Sequence, residues 1–431
     1  MSKVGVVSLG CDKNRVDTEK MLALLANSQH TLVSTIEESD IVIVNTCAFI
    51  HDAKEESVDT ILEIANYNNK KIIVTGCLSQ RYADDLLNDI PEVSAVMGTN
   101  QYTKILDVIS KVEKGDRIKD LVSEDHFTTD RILTTIPHYA YLKIADGCNN
   151  HCTYCSIPSI RGKYKSYSIQ DLVNEAKNLI AEGVQELILV AQDVSRYGED
   201  LYGENKLVEL ISELEKLDIK AIRLLYMYPE KITDELISKI SSSHKIAKYL
   251  DVPFQHASNK ILKLMNRHQT KEQYIALIKK LREADIAIRS TFIVGFPNES
   301  EEDFKELKEF VQNNNIDYAG FFSYSREEGT PADKMKGHIS NLIKEKRLKE
   351  IRKIQDFNML EMNKKKIGTI LEVTYDELDY NLGKFVGHTN KQMPGIDTRV
   401  LFDSKEVLNV GNKYQVKIEC ADSYNLIGET V

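Results

Sequence analysis

Long apolar runs are missing from this 431-residue chain, and so is any excess of positive charge. No stretch approaches the roughly 20 consecutive apolar residues that a membrane-spanning helix needs. The net charge is −10, whereas proteins that bind nucleic acids broadly usually carry a basic surface. A mildly acidic protein suits a basic partner better. The sequence therefore predicts neither a membrane span nor general nucleic-acid binding.

Cysteine is scarce and tryptophan is absent. The seven cysteines are an odd number, which does not suit a framework of disulfides. Residues 1–10 contain no basic segment followed by a long apolar stretch, so no secretory signal peptide is expected. Thiols stay reduced in the cytosol. We therefore expect a cytoplasmic protein, long enough to hold several domains.

Three of the cysteines lie in one short segment, G-C-N-N-H-C-T-Y-C, which contains Cys148, Cys152 and Cys155. Structural zinc usually takes four ligands, often as two close pairs, and no second pair follows here. Cysteine thiolates are the usual ligands of a four-iron cluster, and three of them leave one iron free to bind another molecule. The segment therefore favours an iron–sulfur cluster over zinc or buried structural cysteines.

The first part of the chain alternates apolar runs with helical patterns. Continuous β-branched runs separated by helices are typical of a parallel sheet covered on both faces. Strands are expected at 4–8, 41–45 and 71–75, and helices at 16–26, 53–65 and 80–87.

Cys11, Cys47 and Cys77 each come shortly after one of these strands. Because the carboxyl ends of parallel strands share one edge of a sheet, where ligands bind, the three thiols should converge. Three converging thiolates predict a second cluster, again one ligand short. Three small buried residues are the alternative, since cysteine is common in cores. Zinc is a weaker one, because three cysteines without histidine would be an unusual catalytic set.

Two further domains follow a charged link at 105–131. Six strand candidates separated by helices indicate a partial (β/α) barrel, whose chemistry lies at the carboxyl ends of its strands. The candidates are 139–145, 186–190, 222–226, 249–254, 286–294 and 318–324. Residues 339–367 have the pattern of a solvated helix or helix pair. Residues 370–431 indicate a small all-β barrel of the oligonucleotide-binding type. The predicted fold class is α/β, with domains at 1–125, 137–366 and 367–431.

From end to end the chain resembles the methylthiotransferase family of radical S-adenosylmethionine (SAM) enzymes. Five segments carry the resemblance: S-L-G-C-D-K-N-R-V-D-T-E (8–19), V-N-T-C-A-F-I (44–50), Y-L-K-I-A-D-G-C-N-N-H-C-T-Y-C (141–155), I-P-S-I-R-G (157–162) and F-S-Y-S-R-E-E-G-T-P-A (322–332). They are closer to the branch that modifies a ribosomal protein than to the tRNA branch, which tends to carry Gln-Met-Asn in the first segment. The family joins an N-terminal cluster domain, a radical SAM barrel and a C-terminal TRAM module.

The resemblance implies two 4Fe-4S clusters and SAM as cofactors. Cys148, Cys152 and Cys155 would hold the SAM cluster, and Cys11, Cys47 and Cys77 the auxiliary cluster that carries the sulfur to be transferred. The residues implied near SAM are Tyr154, Gln192, Asp193, Gly295, Phe296 and Pro297. Gln255 is a candidate for the cavity, and His256 suits a structural role as well as a ligand role. No residue is predicted as a general acid or base.

The resemblance also implies a substrate and partners. The substrate would be an aspartate of the twelfth small-subunit ribosomal protein, modified at its β-carbon, and the electron donor a protein such as flavodoxin or ferredoxin. The same chemistry on a tRNA adenosine is one alternative. Residues 367–431 contain ten acidic and six basic residues, which favours a basic protein over RNA. A non-catalytic iron–sulfur carrier is the other alternative, and the SAM-binding turn at Gly295 argues against it.

Some positions depart from the family pattern. Asn298 and Ser300 stand where the turn usually has Gly and Thr, and residues 388–397 lack the usual Asp-Ala-Pro-Glu run. Cys420 matches no motif and is expected in the core of the TRAM module.

Overall fold

The computed structural model describes residues 1–67, 69–122 and 128–431. The domain boundary predicted at residue 125 lies outside these residues. Within them, no helix is both long enough and apolar enough to cross a membrane.

The described part of the N-terminal domain is built on a parallel sheet with strand order β2-β1-β3-β4-β5-β6. The strands are β1 (Lys3–Ser8), β2 (Thr31–Leu32), β3 (Ile41–Thr46), β4 (Lys71–Gly76), β5 (Val93–Met97) and β6 (Ile118–Asp120). The helices are α1 (Asp12–Ala26), α2 (His51–Ala65), α3 (Cys77–Arg81), α4 (Ala83–Asp89) and α5 (Ile105–Glu113). Every residue of β3 is buried, as expected for a central strand covered on both faces. The predicted parallel α/β architecture is confirmed.

Helix α1 is buried on almost every side. Met21 and Leu25 pack into the core of the N-terminal sheet, whereas Val16 packs against Tyr139 and Tyr141 of the following domain. Polar side chains of α1, such as Glu19, are buried as well. Helix α1 is therefore a wall shared by the sheet and the barrel, and this explains why its sequence is only weakly amphipathic.

The second domain is an open barrel of parallel strands in the order β14-β13-β12-β11-β10-β7. Its strands are β7 (Tyr139–Lys143), β10 (Glu186–Val190), β11 (Ala221–Leu224), β12 (Ile246–Asp251), β13 (Ala287–Val294) and β14 (Tyr318–Ser323), and β8 (Ala145–Asp146) pairs separately with β9 (Lys165–Ser166). The helices are α6 (Ile157–Arg161), α7 (Ile169–Ala181), α8 (Glu199–Tyr202), α9 (Leu207–Glu215), α10 (Asp234–Ser242), α11 (Asn259–Leu264), α12 (Lys271–Glu283), α13 (Glu301–Asn313) and α14 (Asn341–Lys364). All six predicted barrel strands are present, and residues 341–364 form one helix.

The C-terminal module is a closed barrel with strand order β15-β16-β17-β19-β18. The strands are β15 (Ile370–Asp379), β16 (Lys384–His388), β17 (Arg399–Asp403), β18 (Lys413–Ala421) and β19 (Asn425–Thr430). The expectation that Cys420 lies in the core is wrong, because its side chain is exposed. The pairing of β18 with β19 shifts between Ile418 and Cys420, and this irregularity turns Cys420 outward beside the exposed Glu419.

The C-terminal module closes the amino-terminal end of the open barrel through the segment after β16. Met393 packs among the aromatic residues inside the barrel, including Tyr249 and Tyr318. Asp397 Oδ1 of the C-terminal module lies 2.6 Å from Arg289 Nη1 of the barrel. The departure from the family pattern at 388–397 therefore falls on a packed interface.

A buried chain of charges reinforces this interface. His388 Nδ1 is 2.9 Å from Asp376 Oδ1, and His388 Nε2 is 3.1 Å from Glu186 Oε2. Glu186 Oε1 accepts a hydrogen bond of 2.7 Å from Arg223 Nε. Burial alone would lower the pKa of His388, but Asp376 and Glu186 outweigh it and raise the pKa to about 9.

His138 Nε2 also lies 2.9 Å from Asp376, so His138, Asp376 and His388 form a buried group with the donor types of a metal site. The charges balance without an ion, however. A protonated His388 and Arg223 offset Asp376 and Glu186, and both ring nitrogens of His388 are already directed at carboxylates. We therefore interpret the group as an ionic junction between the two domains.

The junction predicts a pH-dependent stability. Since the pKa of His388 is raised from 6.5 to about 9, its stabilisation should be complete below pH 6.5 and fall as the pH rises toward 9. His388→Asn should lose about 3–5 kcal/mol of unfolding free energy at pH 7, because two buried carboxylates lose their cation. Denaturant unfolding at pH 6, 7.5 and 9 measures this, with the exposed His244→Asn as control. An equal loss at all three pH values would contradict the assignment.

Candidate metal centres

The N-terminal cysteines lie at the carboxyl ends of three adjacent strands. Cys47 follows β3 directly, Cys77 is the first residue of α3 after β4, and Cys11 precedes α1 after β1. Strands β1, β3 and β4 are neighbours in the sheet, and Thr46 pairs with Gly76. The backbone therefore brings the three cysteines to one edge, as the strand pattern predicted.

Close packing holds the loop before Cys11 against Cys47. Gly10 has φ +90°, and a Cβ atom there would lie 2.8 Å from Cys47 Cβ and 3.3 Å from Cys47 Sγ. Asn14 Nδ2 donates to Thr46 O at 2.9 Å and so ties α1 to the end of β3. Any side chain at position 10 would push Cys47 away.

Burial favours the neutral thiol at Cys47 and Cys77. Burial raises the pKa of Cys77 to about 11 and also raises the pKa of Cys47. The Arg161 guanidinium opposes both shifts, because a nearby cation favours the thiolate. A metal centre bound here would therefore release protons as the thiolates form.

The second cysteine set occupies the loop between β8 and α6. Cys148 N donates to Gly162 O at 3.2 Å, which closes the loop at its base. Asn150 N approaches Cys148 Sγ at 3.5 Å, and Asn150 Nδ2 donates to Asp193 Oδ2 at 2.6 Å. Burial raises the pKa of Cys148 to about 11, and burial also raises the pKa of Cys155. The loop is thus held by Asp193, which follows β10, as well as by its own backbone.

Cys152 has the most polar surroundings of this set. Its sulfur lies 2.6 Å from Tyr228 Oη and 4.0 Å from Arg267 Nη1. Arg267 in turn stacks over the Tyr228 ring, with its guanidinium carbon 3.8 Å from the ring centre. A hydroxyl and a cation are therefore both directed at this sulfur.

The spacing of the sulfurs argues against a single ion at either set. Thiolates that share one zinc lie about 3.8 Å apart, given Zn–S bonds of about 2.3 Å in a tetrahedron. In the described residues, neither cysteine set brings its three sulfurs within 4.8 Å of one another. A four-iron cluster gives each thiolate its own iron and needs a wider spacing. Both sets therefore fit such a cluster better than zinc.

A glycine turn follows β13, as the sequence predicted. Gly295 has φ +72°, and a Cβ atom there would lie 2.4 Å from Lys344 Cγ. The backbone N–H groups of Gly295 and Phe296 both donate to Glu299 Oε2, at 2.7 and 3.2 Å. Phe296 is fully buried, and Tyr154 of the cysteine loop packs against the apolar cluster that contains it. The structure thus connects the turn to the cysteine loop through Phe296 and Tyr154, and Pro297 follows Phe296 in this turn.

The other candidate residues lie at the same end of the barrel. Both carboxylate oxygens of Asp193 accept hydrogen bonds, from Ser195 and from Asn150, so Asp193 braces the cysteine loop. Among the described residues, the buried side-chain oxygens of Gln192 and Gln255 have no hydrogen-bond partner, and Gln255 has a strained φ of +71°. His256 is fully buried, and its Nδ1 accepts from Ser258 N at 2.9 Å, which supports the structural role.

Family models match residues 142–311 (Radical SAM superfamily), 3–98 (Uncharacterized protein family UPF0004) and 367–431 (TRAM domain). A relative in Acetivibrio thermocellus, named ribosomal protein uS12 methylthiotransferase RimO, is 46% identical over 100% of this chain and 98% of its own. The protein of that name in Lachnoclostridium phytofermentans is 47% identical over 99% of both chains.

The chain belongs to the RimO family of methylthiotransferases. Solved structures resemble it at the level of fold. The radical SAM methyltransferase TsrM from Kitasatospora setae has a TM-score of 0.59 at 14% identity over 77% of both chains. The cobalamin-dependent enzyme OxsB has a TM-score of 0.53 at 14% identity over 82% of this chain and 56% of its own.

Sequence reasoning missed several polar residues around the sulfurs of this RimO-family chain. Arg161, Tyr228 and Arg267 all contact a cysteine sulfur, and none was assigned a role. Arg161 lies within one of the segments that carry the family resemblance, which was the available signal. For Tyr228 and Arg267 no signal existed, since their contacts join residues 76 and 115 positions away from Cys152.

The glycine turn yields a prediction with a matched control. Gly183→Ala places a side chain at φ +99° in open space, so it should cost only the strain of about 1–2 kcal/mol. Gly295→Ala adds a clash with the buried Lys344 and should cost more. Denaturant unfolding of both variants measures the difference, and Gly295→Ala/Lys344→Ala should recover most of the excess. Equal costs for both single variants would refute the close approach.

Proposed function

We propose that this protein is a radical SAM methylthiotransferase that adds a methylthio group to the β-carbon of an aspartate in ribosomal protein uS12. The observation that carries the proposal is the pair of cysteine sets at the carboxyl ends of two parallel sheets that share helix α1. One centre to start a radical reaction and another to supply sulfur require such an arrangement. The names of full-length relatives support the substrate.

The residues divide between two centres. Cys148, Cys152 and Cys155 would ligate the 4Fe-4S cluster that binds SAM, and Cys11, Cys47 and Cys77 the auxiliary 4Fe-4S cluster. When bound, these cofactors supply a radical that removes hydrogen from an unactivated carbon, together with sulfur and a methyl group. The chain's own contribution is to hold six thiolates, to lower the cost of their charge through Arg161 and Arg267, and to bury Cys47, Cys77 and Cys152 away from water.

The SAM pocket would lie between the cysteine loop and the turn after β13. Gly295, Phe296 and Pro297 would place backbone next to SAM, with Glu299 fixing the turn from behind. The unpartnered oxygen of Gln192 is available for a ligand, whereas the oxygens of Asp193 are engaged with Asn150 and Ser195. We infer that Asp193 supports the loop and that Gln192 and Tyr154 lie closer to SAM.

Each domain has one task in this proposal. Residues 1–125 would carry the auxiliary cluster, residues 137–366 the radical chemistry, and residues 367–431 contacts with the substrate. Two of the ten acidic residues of the last domain, Asp376 and Asp397, are buried in ion pairs, so eight acids face six bases at its accessible surface. The surface charge is −2, and the substrate assignment therefore depends on the relatives more than on charge.

The remaining partners follow from the chemistry. A reductant such as flavodoxin or ferredoxin would deliver the electron. The enzyme would bind the ribosomal protein either free or in the small subunit. Both reside in the cytoplasm, where reduced thiols persist, and we assign the protein to that compartment.

Mass spectrometry tests the substrate. We expect ribosomal protein uS12 from cells that contain this gene to be heavier by about 46 Da on one aspartate, the mass of a methylthio group that replaces hydrogen through cofactor chemistry. The shift should vanish when the gene is deleted and return with the intact gene, but not with the Cys152→Ala variant. If instead a tRNA adenosine gains this mass and uS12 does not change, the radical chemistry stands and the substrate assignment fails.

Iron content tests the two-centre assignment. After anaerobic reconstitution the protein should hold about eight irons per chain, as two four-iron cubes require. Replacing Cys148, Cys152 and Cys155 by Ala should leave about half, and replacing Cys11, Cys47 and Cys77 should leave the other half. The exposed Cys420→Ala is the control and should lose none. Full iron in either triple variant, or bound zinc, would refute the assignment.

A further inference from the structure

One buried arginine joins the two cysteine sets. Arg161 lies at the end of α6, six residues after Cys155, yet its guanidinium reaches Cys77 of the N-terminal domain, with Nη2 3.9 Å from the sulfur. Its side chain is 2% exposed, so the contact is shielded from water. It is the cation nearest to the sulfur of Cys77 in the contacts of the described residues.

The two ends of the guanidinium have different partners. Nη1 lies 2.8 Å from Asp146 Oδ2 and 3.2 Å from Asp17 Oδ2, which belong to the barrel and to helix α1. Nη2 donates to Asn14 Oδ1 and approaches Cys77. Asp146 is two residues before Cys148, so the same cation is tied to the base of the second cysteine loop.

The charges of this network are closely matched. Lys143 contacts both Asp17 and Asp146 and lies 2.9 Å from Asp146. These three side chains and Arg161 are all buried. Two carboxylates and two cations cancel one another, but they are not equally distant from the thiols. Arg161 alone of the four extends to Cys77 and Asn14, so its positive end is the one that a charge on Cys77 experiences.

A fixed buried cation next to a metal-ligating sulfur has a known physical effect. The reduction potential of an iron–sulfur centre depends on net charge, on hydrogen bonds to the sulfurs and on solvent exposure. Reduction adds negative charge, and a nearby cation stabilises the reduced form more strongly where the effective dielectric constant is low. Such a cation therefore raises the potential.

We propose that Arg161 is a positioning residue that raises the reduction potential of the centre held by Cys11, Cys47 and Cys77 and fixes this centre relative to the Cys148 loop. This inference rests on the ligand assignment of the proposed function. Arg161 acts on the centre through Cys77, and Asn14 and the carboxylates hold its guanidinium in place. The second cysteine set has its own cation, Arg267, so the two centres can be tuned separately.

The test is a redox titration of the reconstituted full-length protein, followed by electron paramagnetic resonance. The background is the Cys148→Ala/Cys152→Ala/Cys155→Ala variant, so that the signal arises from one centre. In this background Arg161→Gln should shift the potential to more negative values, and Arg161→Lys should recover part of the shift because it keeps the charge. Asp17→Asn removes a negative charge from the same network and should shift the potential in the positive direction.

Arg131→Gln is the matched control. Arg131 is also a buried arginine between α1 and the barrel, paired with Glu19 and with Glu175 at 3.0 Å, but it contacts no cysteine sulfur in the described residues. Its loss should weaken the interface and leave the potential unchanged. A merely structural Arg161 would behave in the same way as Arg131.

The outcomes separate the inference from the proposed function. Equal potentials for Arg161→Gln and the background, equal shifts for Arg161→Gln and Arg131→Gln, or shifts of one sign for Arg161→Gln and Asp17→Asn would overturn it. If Arg161→Gln does not fold, the Arg161→Lys and Asp17→Asn shifts decide. A background variant that binds no iron would overturn this inference together with the ligand assignment. If the potentials shift as expected but uS12 is unmodified in cells, the role inferred for Arg161 is supported and only the substrate assignment is rejected.

Discussion

Buried charge pairing across helix α1 is the interaction on which the rest of the structure depends. Glu19 of α1 binds Arg131, and Asp17 of the same helix binds Lys143 and Arg161. Removing one partner of a buried pair costs about 3–5 kcal/mol, because the remaining charge stays in a medium of low dielectric constant. A shift of the sheet against the barrel that separated any of these pairs would therefore be costly, because it would leave a buried charge without its partner. The positions of the two sets of thiols relative to each other therefore depend on these charge pairs.

The same pairs explain why the thiols can be buried at all. A cluster held by thiolates brings negative charge into the interior, and burial opposes this charge by raising the pKa of Cys77 and of Cys148. Arginines directed at Cys77 and Cys152 offset part of this cost. The protein meets the demand with cations that are themselves held by carboxylates or stacked on a tyrosine ring.

The sequence carried the architecture because the fold follows local patterns. β-Branched runs predicted β3 and β4, and the position of Cys47 and Cys77 directly after them predicted the shared edge. Five strands were not predicted: β2, β6 and β9 have only two or three residues each, and β5 and β19 lie within less periodic segments. The charge pairs had no local signature: Lys20 and Glu175 are separated by 155 positions, and Glu19 and Arg131 by 112. Cys420 was assigned to the core because cysteine is commonly buried. An irregular strand pairing, which no sequence pattern predicts, places its side chain outside.

The segment that follows β16 makes the C-terminal module part of the barrel's packing. Since Met393 packs among the apolar rings inside the barrel and Asp397 pairs with Arg289 at 2.6 Å, removal of the module would uncover those rings and leave Arg289 with its longer contact to Asp251, at 3.8 Å. Its exchange with the module of another relative would succeed only if the barrel residues it seals were exchanged with it. We therefore expect a change in this segment of the C-terminal module to require a matching change at the amino-terminal end of the barrel, away from both sets of thiols.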